Sequence, residues 1–101
     1  MKNTDPREKF AAAVDSMAVS PLSLRDRVFS AFLSFHSVQT QDLPDARAAD
    51  LYEKLLADLN RFPAVGDEGN VQATLTRLSE EELGEVAQQI VDLRTYLEQF
   101  S

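Results

Sequence analysis

Between Leu83 and Phe100 the large apolar residues fall at Leu83, Val86, Ile90, Leu93, Leu97 and Phe100, at intervals of 3, 4, 3, 4 and 3. A strand cannot collect such a series on one face, because its side chains alternate with a period of two. A helix lines it up as an a/d seam. The seam covers about two and a half heptads, short of the three to four that sustain a free coiled coil. It needs neighbours, and the preceding sequence supplies helices.

Asp5-Pro6-Arg7-Glu8 reads as a helix start, with Asp as cap, Pro at the first helical position and Glu closing a capping box. Phe10, Ala13, Val14 and Met17 then form a stripe over residues 6–17. Ser20-Pro21 ends this helix and opens the next, residues 21–38, by the same chemistry. At ~100° per residue, Leu24, Val28, Ala31, Phe32 and Phe35 cluster on one side. Phe29, Leu33 and Leu22 widen that side to roughly 200°, more than a surface helix needs. This helix is expected to touch two or more neighbours, with Phe32 at the centre of the core. The polar segment Gln39–Asp42 leads to Leu43-Pro44 and a third helix that runs to Asn60, its apolar face built from Ala48, Leu51, Tyr52, Leu55, Leu56, Leu59 and Phe62. Ser79-Glu80-Glu81-Glu82 is a capping box for the last helix, residues 80–100.

Residues 71–78 fit two patterns. Val71, Ala73 and Leu75 alternate as a strand would, while Val71, Leu75 and Leu78 share a helical face. A lone strand would have no partner here, so a short helix is expected. With 3 Gly and 4 Pro, the chain also lacks the turns of a many-stranded sheet protein. The expected fold is all-α, a compact antiparallel bundle of four main helices plus one short helix, with residues 1–101 as a single helical domain.

Composition removes several kinds of chemistry. The chain has no cysteine and 1 histidine, which excludes disulfides, thiol nucleophiles, zinc ribbons, iron–sulfur clusters and a His-rich metal site within one chain. The opening Met1–Pro6 lacks the apolar run of a signal peptide, and no stretch approaches 18 consecutive apolar residues. A cytoplasmic location is expected. The net charge is −7: residues 1–42 carry five basic and five acidic groups, and residues 43–101 five basic and twelve acidic. Such a surface repels phosphate backbones and anionic lipid, so neither direct nucleic-acid binding nor membrane binding is expected. A helix-turn-helix reading fails for the same reason, because its recognition helix would begin Glu80-Glu81-Glu82.

His36 falls in the wide apolar arc without HxxxH, ExxH or HExxH spacing, and reads as a boundary residue whose ring packs while a nitrogen reaches water or a carbonyl. Glu81 and Glu85, one turn apart, point away from the seam and read as a solvated face. The loop Val65–Asn70 lacks the ligand series of an EF-hand and the Lys of a P-loop. It reads as a sharp connection in which Asn70 or Asp67 caps the following helix. No catalytic, cofactor-binding or metal-ligating residue is assigned.

The leading expectation is a non-enzymatic protein–protein interaction module, a small accessory or regulatory protein. Its candidate partner-binding residues are Asp67, Glu68 and Asn70 in the loop, Glu81 and Glu85 on the acidic helix, and Phe100 as an anchor. The first alternative is an acidic inhibitor or nucleic-acid mimic of phage or mobile-element type. The second is a small enzyme using His36 with carboxylates. The seam Leu83–Phe100 and the wide face of the second helix also lead to an expected homodimer.

Overall fold

Four side chains start four of the helices by accepting hydrogen bonds from first-turn amides. These are Asp5 from Arg7 N at 3.1 Å, Ser23 from Asp26 N at 3.2 Å, Asp45 from Ala48 N at 2.8 Å and Ser79 from Glu82 N at 3.1 Å. The computed structural model describes residues 5–64, 66 and 69–100. Among them, the chain forms α1 (Pro6–Val19), α2 (Leu24–Phe35), a 3₁₀ turn (Thr40–Asp42), α3 (Ala46–Leu59), α4 (Asn70–Arg77) and α5 (Glu80–Leu97), with no strand. The all-helical expectation holds, and of residues 71–78 all but Leu78, the extended C-cap of α4, are helical. Among the described residues, no helix is long and apolar enough to cross a membrane.

The boundaries of α2 differ from those expected. Ser23 rather than Ser20 is its cap, and the Ser20 hydroxyl instead accepts from Leu22 N at 3.2 Å, shaping the turn after α1. The helix ends at Phe35, where the chain tightens and Val38 N bonds to Phe35 O at 2.9 Å.

Long-range contacts fix the directions of the helices. The end of α1 meets the start of α2 where Arg27 Nη1 donates to Met17 O at 3.2 Å, and the start of α1 meets the end of α2 where Phe10 stacks on Phe35. α1 and α2 are therefore antiparallel. α3 and α5 are antiparallel too, since Asp45 pairs with Tyr96, Asp58 with Gln89 and Arg61 with Glu82. α5 packs on α1, α2 and α3, and α4 lies across α2 and α3. The a/d seam is used inside the chain as far as α5 runs: Leu83, Val86, Ile90, Leu93 and Leu97 are buried, and only Phe100, past the helix end, stays 38% exposed.

The core centres on aromatic rings from three helices. Phe10 and Phe35 stack with centroids 4.6 Å apart, and Tyr52 of α3 meets both edge-on, at 5.9 and 6.1 Å. Phe32 is not at this centre. It is half-buried and touches Phe35 edge-on at 5.7 Å from the outer side. Periodicity placed Phe32 and Phe35 on the same arc, but α1 covers Phe35, and Phe32 falls at the arc's edge.

Tyr52 is buried, and its hydroxyl donates to Val38 O at 2.6 Å, with Phe35 O at 3.5 Å. The phenol thus satisfies the Val38 carbonyl just past the end of α2, while Phe35 O already accepts from Val38 N. Burial, with the Asp42 carboxylate nearby, pushes its pKa from the ordinary 10.0 up to about 12.

Two predictions follow from this core. Phe35→Ala should lose about 3–5 kcal/mol of unfolding free energy in a denaturant titration, and Phe32→Ala clearly less. Tyr52 stabilises the fold fully below pH 10.0 and ever less as pH rises toward about 12, because the unfolded phenol ionises first. Denaturant midpoints should therefore fall more steeply above pH 10.0 for the native chain than for Tyr52→Phe.

Candidate functional site

The second helix has more apolar surface than its neighbours cover. Val28, Ala31 and Phe35 are buried, Phe29 and Phe32 are half-buried, and Leu33 stays 52% exposed. Phe29 and Phe32 lie side by side with centroids 6.4 Å apart and form the floor of a groove of about 360 Å³. Asn60, Gly69, Asn70, Val71 and Gln72 complete its walls. The groove thus runs between α2 and the start of α4, with an aromatic floor and carboxamides along its rim.

Local hydrogen bonds hold the far wall in place. The Thr74 side chain is fully buried, accepts from Phe62 N at 2.9 Å and donates to Phe62 O at 3.2 Å. Asn70 Oδ1 accepts from Ala64 N at 2.8 Å. Gly66 turns the chain at φ 81, a conformation open to glycine without strain. From the other side, Arg25 Nε donates to Leu75 O at 2.7 Å and Nη2 to Leu78 O at 3.3 Å. The guanidinium satisfies carbonyls at the C-terminal end of α4 and faces the negative end of its dipole.

The candidate residues from the sequence are scattered. Asp67 and Glu68 lie outside the described residues. Asn70 lies on the groove rim, but it does not cap α4: Gly69 is the N-cap, and the Asn70 side chain ties the loop back to Ala64 instead. Glu81 and Glu85 are exposed on α5, and neither makes an ion pair or side-chain hydrogen bond among the described residues. Their neighbour Glu82 closes the capping box on Ser79 N at 2.9 Å and pairs with Arg61 at 3.0 Å. The Ser79 amide, together with Arg61, holds the Glu82 carboxyl below its ordinary value. Phe100 is 38% exposed, packs edge-on against Tyr96 at 5.5 Å, and lines a separate depression with Pro6, Asp42 and Pro44.

His36 follows α2 as its C-terminal cap residue. The ring is exposed, lies 5.8 Å from the Phe32 ring and directs Nδ1 to Leu33 O at 2.9 Å. A carbonyl only accepts, so Nδ1 carries the proton. Among the described residues, no group of three or more His, Cys, Asp or Glu side chains is arranged to hold a metal ion.

The charge pattern also has a structural basis. All five basic side chains of residues 43–101 are occupied locally. Arg47 lies over the Tyr96 ring and Arg77 over Phe62. Lys54 and Arg61 share Asp58, and Arg94 pairs with Glu98. Asp50, Glu53, Glu81, Glu85 and Asp92 remain exposed on the outer sides of α3 and α5.

Sequence pattern puts Phe29, Phe32 and Leu33 on the wide face of the second helix but does not bring them together with Asn60, Asn70 and Gln72 as a groove. The one signal it gives is the excessive width of the apolar arc on α2. Compared with protein-family models, characterised proteins and solved structures, the chain matches none.

The wall predicts its own test. Thr74→Val keeps the shape but leaves the Phe62 amide without its acceptor. It should cost about 1–3 kcal/mol and speed hydrogen exchange at the Phe62 amide.

Proposed function

We propose that this protein is a non-enzymatic interaction module that works by binding another protein chain through the outer face of α2 and its adjoining groove. The observation that carries this reading is the Phe29–Phe32 floor, half-buried beside the exposed Leu33 and rimmed by Asn60, Asn70 and Gln72. An apolar floor with a polar rim is the usual composition of a protein-binding patch, in which aromatic anchors supply affinity and the rim supplies orientation. The single histidine supports the same reading, since it is exposed beside an aromatic ring and contacts a helix carbonyl.

The acidic inhibitor is the second reading. It is favoured by the local occupation of every basic side chain in residues 43–101, which leaves Glu81 and Glu85 on an acidic exterior. Such a surface would steer a basic partner and speed its association at low salt.

A photo-crosslinking residue at Gln72 or at Glu85, used in cells, separates the two. Adducts with a protein chain from Gln72, reduced by Leu33→Glu, are the expected result. Adducts from Glu85 alone would transfer the function to the acidic side. Adducts from neither position would overturn the module reading.

A further inference from the structure

We infer that the outer face of α2 is a self-association surface, occupied by α2 of a second copy lying antiparallel across it. The inference rests on the interaction-module reading and names its occupant. α2 carries two stripes on opposite sides. Val28, Ala31 and Phe35 face the core. Asp26, Phe29, Leu33 and His36, at intervals of 3, 4 and 3, line up on the other side, where all but the half-buried Phe29 are exposed.

This outer stripe is complementary to its own reversal. When two copies of a helix cross antiparallel about a two-fold axis, residues equally far from the axis in opposite directions face each other. With the axis on the outer face midway between Phe29 and Leu33, Phe29 meets the partner's Leu33 and Asp26 meets the partner's His36, twice over. A carboxylate then faces an imidazole, which in its charged form donates from both nitrogens. The two helix dipoles also oppose each other favourably. Ser30 and Ser37 flank the stripe and are small enough for the axes to approach closely.

Charge favours a second copy on this face. Copies of a chain with net charge −7 repel one another over the acidic side. From Pro6 to Phe35 the hairpin carries Arg7, Lys9, Arg25 and Arg27 against Glu8, Asp15 and Asp26, so two copies meet there without the repulsion of the acidic side. Exposed apolar surface collects there as well. Val19 at 81%, Leu22 at 52% and Leu33 at 52% are exposed on the hairpin, with Phe100 the other large example among the described residues.

The chain has no cysteine, so single introduced cysteines report the pairing directly. Asp26→Cys and His36→Cys are both surface changes. Mixed and mildly oxidised, the two variants should form a mixed cross-linked dimer, while each alone forms little, because identical positions lie far apart in this register. Light scattering of the native chain should show a concentration-dependent dimer, and Leu33→Glu should weaken it about tenfold or more with unchanged circular dichroism. A strictly monomeric native chain would overturn the inference. So would a dimer indifferent to Leu33→Glu, or cross-linking of Asp26→Cys with itself. If such a monomer still gave adducts with a different protein from Gln72, the module reading would stand and only its occupant would be wrong.

Discussion

The Tyr52 phenol joins parts of the chain that would otherwise have little reason to stay in register. Its ring fills the space beside the stacked Phe10 and Phe35, linking α3 to both α1 and α2. Its hydroxyl meets the carbonyl of Val38 just past the end of α2. A buried carbonyl without a partner costs about as much as a lost hydrogen bond, so the tyrosine sets both where α2 stops and how α3 lies against it. The 3₁₀ turn Thr40–Asp42 is the short connection that this arrangement allows.

At the opposite end of α2, Arg25 and Arg27 look misplaced by local rules, since cations near a helix N-terminus oppose its dipole. The antiparallel arrangement explains them. The start of α2 lies beside the ends of α1 and α4, and the two guanidiniums donate to Met17 O, Leu75 O and Leu78 O there. Neither α1 nor α2 has a basic residue in its own last turn. Side chains from neighbouring helices do that work instead, Arg27 for α1 and Tyr52 for α2. The basic groups of α2 are thus turned toward helix ends, while Asp50, Glu53, Glu81, Glu85 and Asp92 of α3 and α5 stay in water.

Much of the fold was legible in the sequence because its signals are local. The Ser79–Glu82 capping box, the Asp5-Pro6 start and the seam from Leu83 to Leu97 each depend on residues within a turn or two. Depth was not legible. Phe32 and Phe35 share an arc, and only the position of α1 decides which one becomes the centre. The groove was equally hidden, because its floor and walls come from residues such as Phe29 and Asn70 that only the crossing of α2 and α4 brings together. Thr74 reads as a surface residue until Phe62 is seen to need its hydroxyl. Among the residues singled out in advance, Asn70 reached the groove, while Glu81, Glu85 and Phe100 lie elsewhere.

The bonds at the two ends of α2 also restrict what its outer face can do. A helix with a stripe of Phe29 and Leu33 toward water would gain by rolling about its own axis to hide them. Arg25 and Arg27 at one end and Tyr52 at the other oppose that roll, since each loses its carbonyl when the helix turns. The apolar face is therefore held outward in one orientation before anything binds. A partner meeting it has little backbone entropy left to remove, and the association keeps more of the free energy of burial than a flexible segment of the same composition would.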